Sequence, residues 1–417
     1  MMQRYSALSL FKHAFSSHNK WHAAWTKATP KKNYDAIVIG GGGHGLATGY
    51  YLAKNHGIKN VAVLERGWIG GGNTGRNTTV IRSNYFYPES VALYDLALRL
   101  YENLSQELNY NVMLSQRGML IGAHTPMQME VCQRIANAMQ LNGVDGELMN
   151  ATEAAKRVPL YNSSENARYK LLGGIWQGRA GVARHDAVAW GYARAASALG
   201  VDIIEGCEVT DIITKSGSAC GVETNLGTIA SESIGIAAAG ATPGLTGLVG
   251  VDLPIHTYAL QAFVSEPVKP CLDTVLLALG TGTYVSQSDK GELVFGGGLD
   301  RVPTHGQKGN LPVQEEIVSG LLEMFPAFGQ LKLLRQWGGV VDVVPDSSPV
   351  IGPAGPDGLF INCGWGTGGF KAIPAGGWLL AHLLATCEHH TISRPFDLSR
   401  FSEGRLIDEA AGSGIAH

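Results

Sequence analysis

The stretch that decides the fold reads Ala36-Ile37-Val38-Ile39-Gly40-Gly41-Gly42-Gly43-His44-Gly45. Its four apolar residues predict a buried strand, and Gly40, Gly42 and Gly45 have the spacing G-x-G-x-x-G. Residues 46–55 follow with a helical pattern, and a second apolar run at 61–64 ends on Glu65. This order of strand, glycine turn, helix, strand and acid is typical of a βαβ unit that binds a dinucleotide.

Each part of this motif has a physical role. Gly40 allows the tight turn out of the strand, and Gly42 lets the backbone approach a pyrophosphate because it has no Cβ. Gly45 lets the helix pack closely on the sheet. The free amides and the positive dipole end at the start of the helix attract phosphate. Glu65 lies where an acid would accept a hydrogen bond from a ribose hydroxyl.

Composition limits the classes of function. The chain has 417 residues, enough for two domains, of which 45% are hydrophobic and 16% charged. Its net charge of −3 argues against nucleic-acid binding, because no overall positive field would attract phosphates. No apolar run reaches the roughly 18–20 residues of a membrane span, and the cysteines lack the spacing of a metal site. We therefore expect a cytoplasmic protein with reduced cysteines and no metal.

The apolar pattern predicts an α/β (α+β) fold with two domains. A discontinuous nucleotide-binding domain is assigned to residues 34–90, 150–255 and 342–400. A second domain is assigned to residues 91–149 and 256–341, because strand-like segments with polar alternation begin at His256.

One helix of the first domain is predicted over residues 186–199. Asp186 is expected to be its N-cap, and Gly200 follows its end. Residues 401–417 are assigned to a C-terminal tail.

Residues 1–33 differ from the rest of the chain. They contain no acid but six basic and five aromatic residues: Arg4, Lys12, Lys20, Lys27, Lys31, Lys32, Tyr5, Phe11, Phe15, Trp21 and Trp25. A targeting peptide would have a longer apolar core and a small-residue cleavage signal. Pro30 and the scattered aromatic residues disfavour a membrane-surface helix. We expect a basic aromatic arm that packs on a partner subunit.

From residue 34 onward the chain resembles the amine-oxidising flavoproteins related to D-amino acid oxidase. The likeness rests on the glycine motif, on Ala238-Ala239-Gly240-Ala241, on the turn at 345–352 and on Cys363-Gly364-Trp365-Gly366-Thr367-Gly368-Gly369-Phe370-Lys371. Gly75-Arg76-Asn77-Thr78-Thr79-Val80-Ile81-Arg82 and Ala183-Arg184-His185-Asp186-Ala187 make it most similar to the beta subunits of heterotetrameric sarcosine oxidases. The glycine motif and the stretches at 75–82, 183–187 and 363–371 are four long motifs in the same order, which together are far more specific than any one of them.

This resemblance implies a Rossmann-like FAD-binding domain and a substrate domain with a large mixed or antiparallel sheet. It also implies noncovalent FAD and the oxidation of sarcosine (N-methylglycine) to glycine. The one-carbon unit would leave as formaldehyde or be taken by tetrahydrofolate in the alpha subunit. Electrons would pass from FAD to FMN and then to O2, giving hydrogen peroxide. The FMN would be covalently attached to His185 at the interface with the alpha subunit, in an assembly that also has gamma and delta subunits.

The motifs and the resemblance together predict the cofactor-binding residues. These are Gly40, Gly42, Gly43, Gly45, Glu65, Arg66, Asn73, Thr74, Arg76, Asn77, Thr78, Arg184, His185, Val209, Gly240, Gly364, Gly366, Thr367, Gly368, Gly369 and Phe370. A neutral imidazole is a fair nucleophile toward an activated flavin methyl group, and Arg184 would stabilise negative charge on a reduced flavin. Without the resemblance, residues 184–186 are better explained as a capped helix start with a local ion pair.

Arg82 and Lys371 match the two cations that hold the substrate carboxylate in related sarcosine oxidases. An arginine fork and a lysine can clamp a carboxylate and fix the methyl group near the flavin. Alternatively, Arg82 forms a surface salt bridge, and Lys371 polarises the flavin or aids its reaction with oxygen. The turn Gly366-Thr367-Gly368-Gly369 contains no histidine, and the nearest cysteine upstream of the 363–371 motif is the distant Cys271, so we expect no cysteinyl FAD.

Three other functions stay open. A single-flavin enzyme for dimethylglycine, a D-amino acid or glycine would share the fold and FAD but lack FMN. A cofactor-holding subunit would be inactive without its partners. An NAD dehydrogenase would share the glycine motif, but the glycine-rich loop after Glu65 and the C-terminal turn favour a flavin.

Overall fold

The computed structural model describes residues 6–17, 19 and 23–413, with the backbone alone at 412 and 413. The strands in these residues are β1 (Ala36–Ile39), β2 (Val61–Glu65), β3 (Val80–Ile81), β4 (Met119–Ala123), β5 (Glu147–Asn150), β6 (Gly173–Gln177), β7 (Gly181–Val182), β8 (Asp202–Glu205), β9 (Val209–Lys215), β10 (Ser218–Thr224), β11 (Ile229–Ala230), β12 (Ile234–Ile236), β13 (His256–Pro267), β14 (Val275–Ala278), β15 (Thr283–Gln287), β16 (Glu292–Pro303), β17 (Leu333–Val343), β18 (Val350–Pro353) and β19 (Leu359–Cys363). The α-helices are α1 (Ala7–Phe15), α2 (Gly43–Asn55), α3 (Pro88–Glu107), α4 (Pro126–Leu141), α5 (Ala151–Arg157), α6 (His185–Ala198), α7 (Thr242–Gly247), α8 (Leu311–Met324), α9 (Ile373–Thr386), α10 (Arg400–Glu403) and α11 (Glu409–Ser413).

The glycine motif belongs to a six-stranded sheet of order β18-β19-β12-β1-β2-β8. Its strands run parallel except for β18 at one edge. All four residues of β1 are buried, as expected for a parallel sheet that is covered on both faces. Helices α2, α6 and α9 pack on one face, and the three-stranded sheet β11-β10-β9 packs on the other. The predicted Rossmann-like domain is confirmed.

The second sheet has eight strands in the order β17-β13-β16-β15-β14-β4-β6-β5. All neighbouring strands are antiparallel except β14 and β4, which are parallel. The predicted large mixed sheet is therefore confirmed. The predicted nucleotide-binding domain includes residues 151–177, but β6 pairs with β4 and β5 of this sheet and α5 packs on it, so these residues belong with the second sheet.

Helix α6 differs from the prediction at its start. It begins at His185, with Arg184 rather than Asp186 in the N-cap position. The Asp186 carboxylate accepts two hydrogen bonds from the Arg184 guanidinium, at 2.8 and 3.2 Å, and one from the N–H of Ala187. The prediction of Asp186 as the N-cap was wrong, because this carboxylate lies inside the first turn and is held by the arginine.

Buried contacts attach the end of the chain to the first domain. The fully buried Arg400 guanidinium donates to both carboxylate oxygens of Asp346, at 2.7 and 2.9 Å. Further along, Ser348 Oγ donates to the carbonyl of Ile407 at 2.6 Å. The predicted C-terminal tail is therefore fastened to the fold at Ile407, just before α11.

At the other end, α1 of the N-terminal arm buries none of its side chains. Tyr5 and Trp21 lie outside the described residues, so packing of the arm on a partner stays a prediction. No described helix has both the length and the apolar character that crossing a membrane requires. All six cysteines lie in the described part of the chain and are free thiols.

Candidate functional site: a cofactor cavity beside a buried cation pair

A cavity of ≈ 620 Å³ opens where β1, β2 and β12 reach their carboxyl ends. Such an edge is where parallel α/β sheets bind ligands, and the volume is within the range of ligand pockets. The predicted residues that line it are Gly40, Gly42, Gly43, Glu65, Arg66, Asn73, Thr74, Arg76, Asn77, Val209, Gly366, Thr367, Gly369 and Phe370. The structure therefore brings together most of the residues predicted to bind the cofactor.

The glycine turn closes one end of this cavity. Gly40 has φ +116°, and a Cβ there would lie 2.4 Å from the carbonyl oxygen of Ala237. At Gly45 a Cβ would lie 1.9 Å from the carbonyl oxygen of Gly40, so close packing of helix on strand excludes any side chain. Gly42 is the N-cap of α2 and has no side chain to cap the helix, so the start of α2 faces the cavity with only the Gly43 N–H donating to a side chain, Thr74 Oγ1 at 3.0 Å.

Glu65 is fixed at the rim of the cavity. Its two carboxylate oxygens accept hydrogen bonds from the N–H groups of Gly41 and Gly67, both at 2.8 Å. The carboxylate is thereby held at the end of β2, where it can still accept a further hydrogen bond. This is the geometry predicted for an acid that binds a ribose hydroxyl.

The glycine-rich loop after β2 is fastened to the second sheet. Asn73 is hydrogen-bonded to the backbone of Val340 in both directions, with Val340 N–H donating at 2.9 Å. Trp337 Nε1 donates to the carbonyl of Arg76 at 2.7 Å. Thr78 Oγ1 donates to the Tyr284 hydroxyl at 3.1 Å, and Thr78 does not line the cavity. The loop therefore forms a wall between the two sheets.

Three further side chains of the cavity, those of His44, Trp365 and Asp342, make defined contacts there and were not among the predicted site residues. His44 makes a 2.8 Å hydrogen bond through Nε2 with the carbonyl oxygen of Gly369, and its ring stacks on Trp365 at 4.7 Å. Burial lowers the pKa of His44 to about 4, so the ring is neutral at pH 7. Asp342 accepts a hydrogen bond from Gly364 N–H at 2.6 Å, and burial raises the pKa of its carboxyl to about 6. His44 lies within the glycine motif and Trp365 within the C-terminal motif, so both could have been found from the sequence, whereas no motif includes Asp342.

Arg82 and Lys371 meet at one tyrosine. Both are buried, which excludes the surface salt bridge considered for Arg82. The Arg82 guanidinium carbon lies 4.7 Å from the centre of the Tyr85 ring, and Lys371 Nζ lies 5.9 Å from it. Tyr85 stacks on Tyr94 at 3.8 Å with almost parallel rings. The structure thus places the two predicted cations against the same aromatic pair.

The surroundings of Lys371 disfavour its charge. Burial, and then the positive charge of Arg82, lower the pKa of the Lys371 ammonium well below its usual value. Nζ donates to the carbonyl of Thr367 at 3.2 Å. A carboxylate bound between the two cations would restore the charged form of this lysine.

A small pocket beside the main cavity adjoins these cations. Its lining includes Tyr85 and Tyr94, together with Gly364 and Gly368 of the C-terminal turn. It shares Trp365, Gly366 and Thr367 with the main cavity. The C-terminal turn is therefore the partition between the cofactor cavity and the tyrosine pair.

His185 and Arg184 lie away from the main cavity, at the start of α6. His185 Nδ1 is a buried atom without a hydrogen-bond partner in the described chain, and burial lowers the pKa of the ring. A Cβ at Gly70 would lie 3.5 Å from Cβ of Ala189, so α6 packs on the back of the glycine-rich loop. Gly240 also lies outside the lining, where a Cβ would press on Thr257 at 2.8 Å. Arg184 and His185 are thus separated from the main cavity by the glycine-rich loop, and Gly240 lies apart from both places.

A family model described as "DAO: FAD dependent oxidoreductase" matches residues 35–383. The chain belongs to this family. It is therefore an enzyme that uses FAD, and the predicted family and fold are confirmed.

Similar proteins cover the whole chain. It is 49% identical over 416 residues to sarcosine oxidase subunit beta of Rhodobacter capsulatus, with 100% of both chains covered. It is 48% identical over 406 residues to sarcosine oxidase subunit beta of Rhizobium meliloti, with 97% of each covered. Among solved structures, L-proline dehydrogenase from P. horikoshii has a TM-score of 0.85 and 26% identity, over 90% of this chain and 100% of that one.

The cavity fits the FAD of this family. The α2 amides and the open face of Gly42 suit a pyrophosphate, since a Cβ there would meet only Thr74 Oγ1 at 3.3 Å. The Glu65 carboxylate can accept a hydrogen bond from a ribose hydroxyl, and Val209 lines the same cavity. No cysteine thiol other than Cys207 lines it, and burial raises the pKa of that thiol. Across the described part of the chain, no cluster of side chains could hold a metal ion.

Proposed function

We propose that the chain is the amine-oxidising subunit of a sarcosine oxidase. Its substrate would be sarcosine and its products glycine, hydrogen peroxide, and either formaldehyde or 5,10-methylenetetrahydrofolate. The observation that carries the proposal is the similarity of 47–49% over almost the full length to three sarcosine oxidase beta subunits. The buried pair of Arg82 and Lys371 beside the cavity supports it, because the substrate is a small carboxylate.

The substrate carboxylate would bind Arg82 and Lys371. A buried guanidinium and ammonium bind a carboxylate strongly and in a defined orientation. The C-terminal turn that carries Lys371 also lines the cofactor cavity, so a carboxylate bound to Lys371 would place the substrate next to that cavity. L-proline, the substrate named for the similar dehydrogenase, is likewise a secondary amine with an α-carboxylate and is the second candidate.

FAD would be held noncovalently by the residues that line the main cavity, and FMN covalently by His185. When bound, FAD supplies the acceptor for the electron pair of the amine, and FMN the route of those electrons to O2. His185 supports the second site because its lowered pKa keeps the imidazole neutral and nucleophilic at pH 7. Arg184, one residue before it, would place positive charge beside that site.

The assembly would contain alpha, gamma and delta subunits besides this chain, with tetrahydrofolate bound by the alpha subunit. The exposed indole of Trp190 on α6, 43% accessible, supports a partner on the side of the chain that carries His185. Large exposed aromatic side chains are common at interfaces between proteins.

The first experiment separates the substrate candidates. Under anaerobic conditions, the purified assembly is mixed with sarcosine, dimethylglycine, glycine, a D-amino acid or L-proline, and bleaching of the flavin absorbance is followed. We expect sarcosine to give the largest second-order rate constant for flavin reduction. Faster reduction by L-proline, or none by sarcosine, would contradict the proposed substrate.

A second experiment tests the FMN site. After denaturation, the wild-type chain should retain an added mass equal to FMN, while FAD is released. A His185→Ala variant should lose the added mass and keep its FAD, and a His56→Ala variant should behave as wild type. An unmodified wild-type chain would refute the covalent link and favour a single-flavin enzyme.

A further inference from the structure

One acid near the end of the chain, Glu409, lies close to Arg82 of the cation pair. Glu409 is the first residue of α11, and its side chain is buried, with 1% of its surface accessible. It lies beyond residue 383, where the match to the family model ends. The contacts of Glu409 therefore involve a segment outside the part of the chain that the family model describes.

Glu409 caps a helix that is distant in sequence. Helix α3 starts at Pro88, and its N-cap Tyr87 offers no capping side chain. The Glu409 carboxylate accepts hydrogen bonds from the N–H groups of Tyr87 at 2.8 Å and Phe86 at 3.1 Å. A carboxylate at this end of a helix satisfies amides that have no partner within the helix and interacts favourably with its dipole.

The capped helix carries half of the tyrosine pair. Tyr94 lies in the second turn of α3 and stacks on Tyr85, whose ring lies 4.7 Å from the Arg82 guanidinium carbon. Arg82 is further held by Asn84, whose side-chain oxygen accepts a hydrogen bond at 2.7 Å. The position of the start of α3 therefore sets the aromatic surface on which Arg82 lies.

Electrostatic interactions connect Glu409 with Arg82 and with the two tyrosines. Burial raises the pKa of the Glu409 carboxyl, while the amides of Tyr87 and Phe86 and the charge of Arg82 oppose this shift. The negative charge of Glu409 also acts on Tyr85 and Tyr94, the phenols of which have pKa values raised mainly by burial. Glu409 therefore interacts electrostatically with Arg82 and with both tyrosines of the pair.

We propose that Glu409 is a positioning residue for the substrate carboxylate: by capping α3 it holds the Tyr85–Tyr94 pair and Arg82 in the geometry that binds the substrate. This inference rests on the proposed function, since it assigns the cation pair to an amino-acid carboxylate. Two effects of removing Glu409 have opposite signs. Loss of its negative charge favours an incoming carboxylate, whereas loss of the cap displaces the groups that bind it. Charge-assisted hydrogen bonds depend steeply on geometry, so the displacement is the larger effect.

Two substitutions separate these effects. Glu409→Ala removes both the charge and the acceptor, whereas Glu409→Gln removes the charge and keeps an acceptor oxygen. The exposed Glu403 in the same segment provides the control, as Glu403→Ala. Each variant is made in the full assembly, and FAD content and Tm are recorded with steady-state kinetics on sarcosine. The Kd of methoxyacetate, an unreactive carboxylate, is measured by calorimetry.

In Glu409→Ala we expect KM for sarcosine and Kd for methoxyacetate to rise about tenfold or more, the effect of one lost charge-assisted hydrogen bond. The kcat should change less than about threefold, and Glu409→Gln should restore most of the affinity. Unchanged or tighter binding of methoxyacetate in Glu409→Ala would overturn the proposal. So would equal losses in the Ala and Gln variants.

If Glu409→Ala does not fold, Glu409→Asp replaces it. The aspartate keeps the charge but withdraws the carboxylate by one methylene, so the proposal predicts a raised Kd, and a wild-type Kd would overturn it. Wild-type enzyme that binds methoxyacetate but is not reduced by sarcosine would refute the proposed function. The binding measurements on the variants would still decide the role of Glu409.

Discussion

Replacing Lys371 by methionine tests the cation site most directly. The side chain is buried, with 6% of its surface accessible, and methionine has nearly the same length without the charge. In the proposed complex the ammonium donates a charge-assisted hydrogen bond to the substrate carboxylate. Such a bond contributes about 1.5–3 kcal/mol, and every 1.4 kcal/mol is about a tenfold change in binding. We therefore expect kcat/KM for sarcosine to fall by about 10- to 150-fold.

The same substitution should not destabilise the enzyme. Burial and Arg82 hold the pKa of Lys371 well below its usual value near 10.5, so the folded protein binds fewer protons at this site than the unfolded chain. Wild-type stability consequently rises with pH from the lowered pKa up to about 10.5, and it carries a penalty below that range. The methionine has no such penalty. Its Tm should equal or exceed that of wild type, and the difference should be largest at the lower pH.

The assay compares kcat/KM and Tm for Lys371→Met, wild type and Lys156→Met. Lys156 is an exposed residue of α5 and should tolerate the change. A wild-type kcat/KM in Lys371→Met would refute the carboxylate clamp. A large fall in Tm together with loss of activity would contradict the electrostatic argument, because it would mean that the lysine is needed for folding.

Two further predictions concern the cofactor cavity. Gly45→Ala should give apoprotein or unfolded chain, since its Cβ would lie 1.9 Å from the Gly40 carbonyl oxygen, whereas Gly298→Ala, in β16 and outside the cavity lining, has open space and should retain FAD; normal flavin content in Gly45→Ala would contradict the close packing of α2. Asp342 has a pKa raised to about 6 from 3.8, so it contributes stability that is lost as pH rises between these values. Asp342→Asn should therefore flatten the dependence of Tm on pH in this window, and an unchanged profile would show that another group titrates there.

Much of the first domain could be predicted because its signals are local. The four apolar residues of β1 and the glycines after them lie within ten positions, and each has a single steric explanation. The start of α6 was misjudged for a similarly local reason. Asp186 is a good N-cap by residue type, but its neighbour Arg184 competes for the same carboxylate.

The cation site could be predicted only through resemblance. Arg82 and Lys371 are almost 300 positions apart, and no periodicity links them. The tyrosine pair and Glu409 were missed altogether, because the capping hydrogen bonds of Glu409 span more than 320 positions. A sequence pattern predicts which residues are neighbours along a helix or strand. It does not predict contacts that only tertiary packing creates.

Burial shifts the pKa values of three titratable groups around the cavity in the direction that disfavours the charged form. His44 and Lys371 have lowered pKa values and Asp342 has a raised one, each mainly because burial disfavours charge. Arginine stays protonated under all these conditions, so Arg82 is the cation that persists without substrate. A bound carboxylate then adds the negative charge that lets Lys371 regain its proton. In this arrangement the second cation is formed by the substrate itself, and an uncharged analogue of the same shape would meet a neutral lysine.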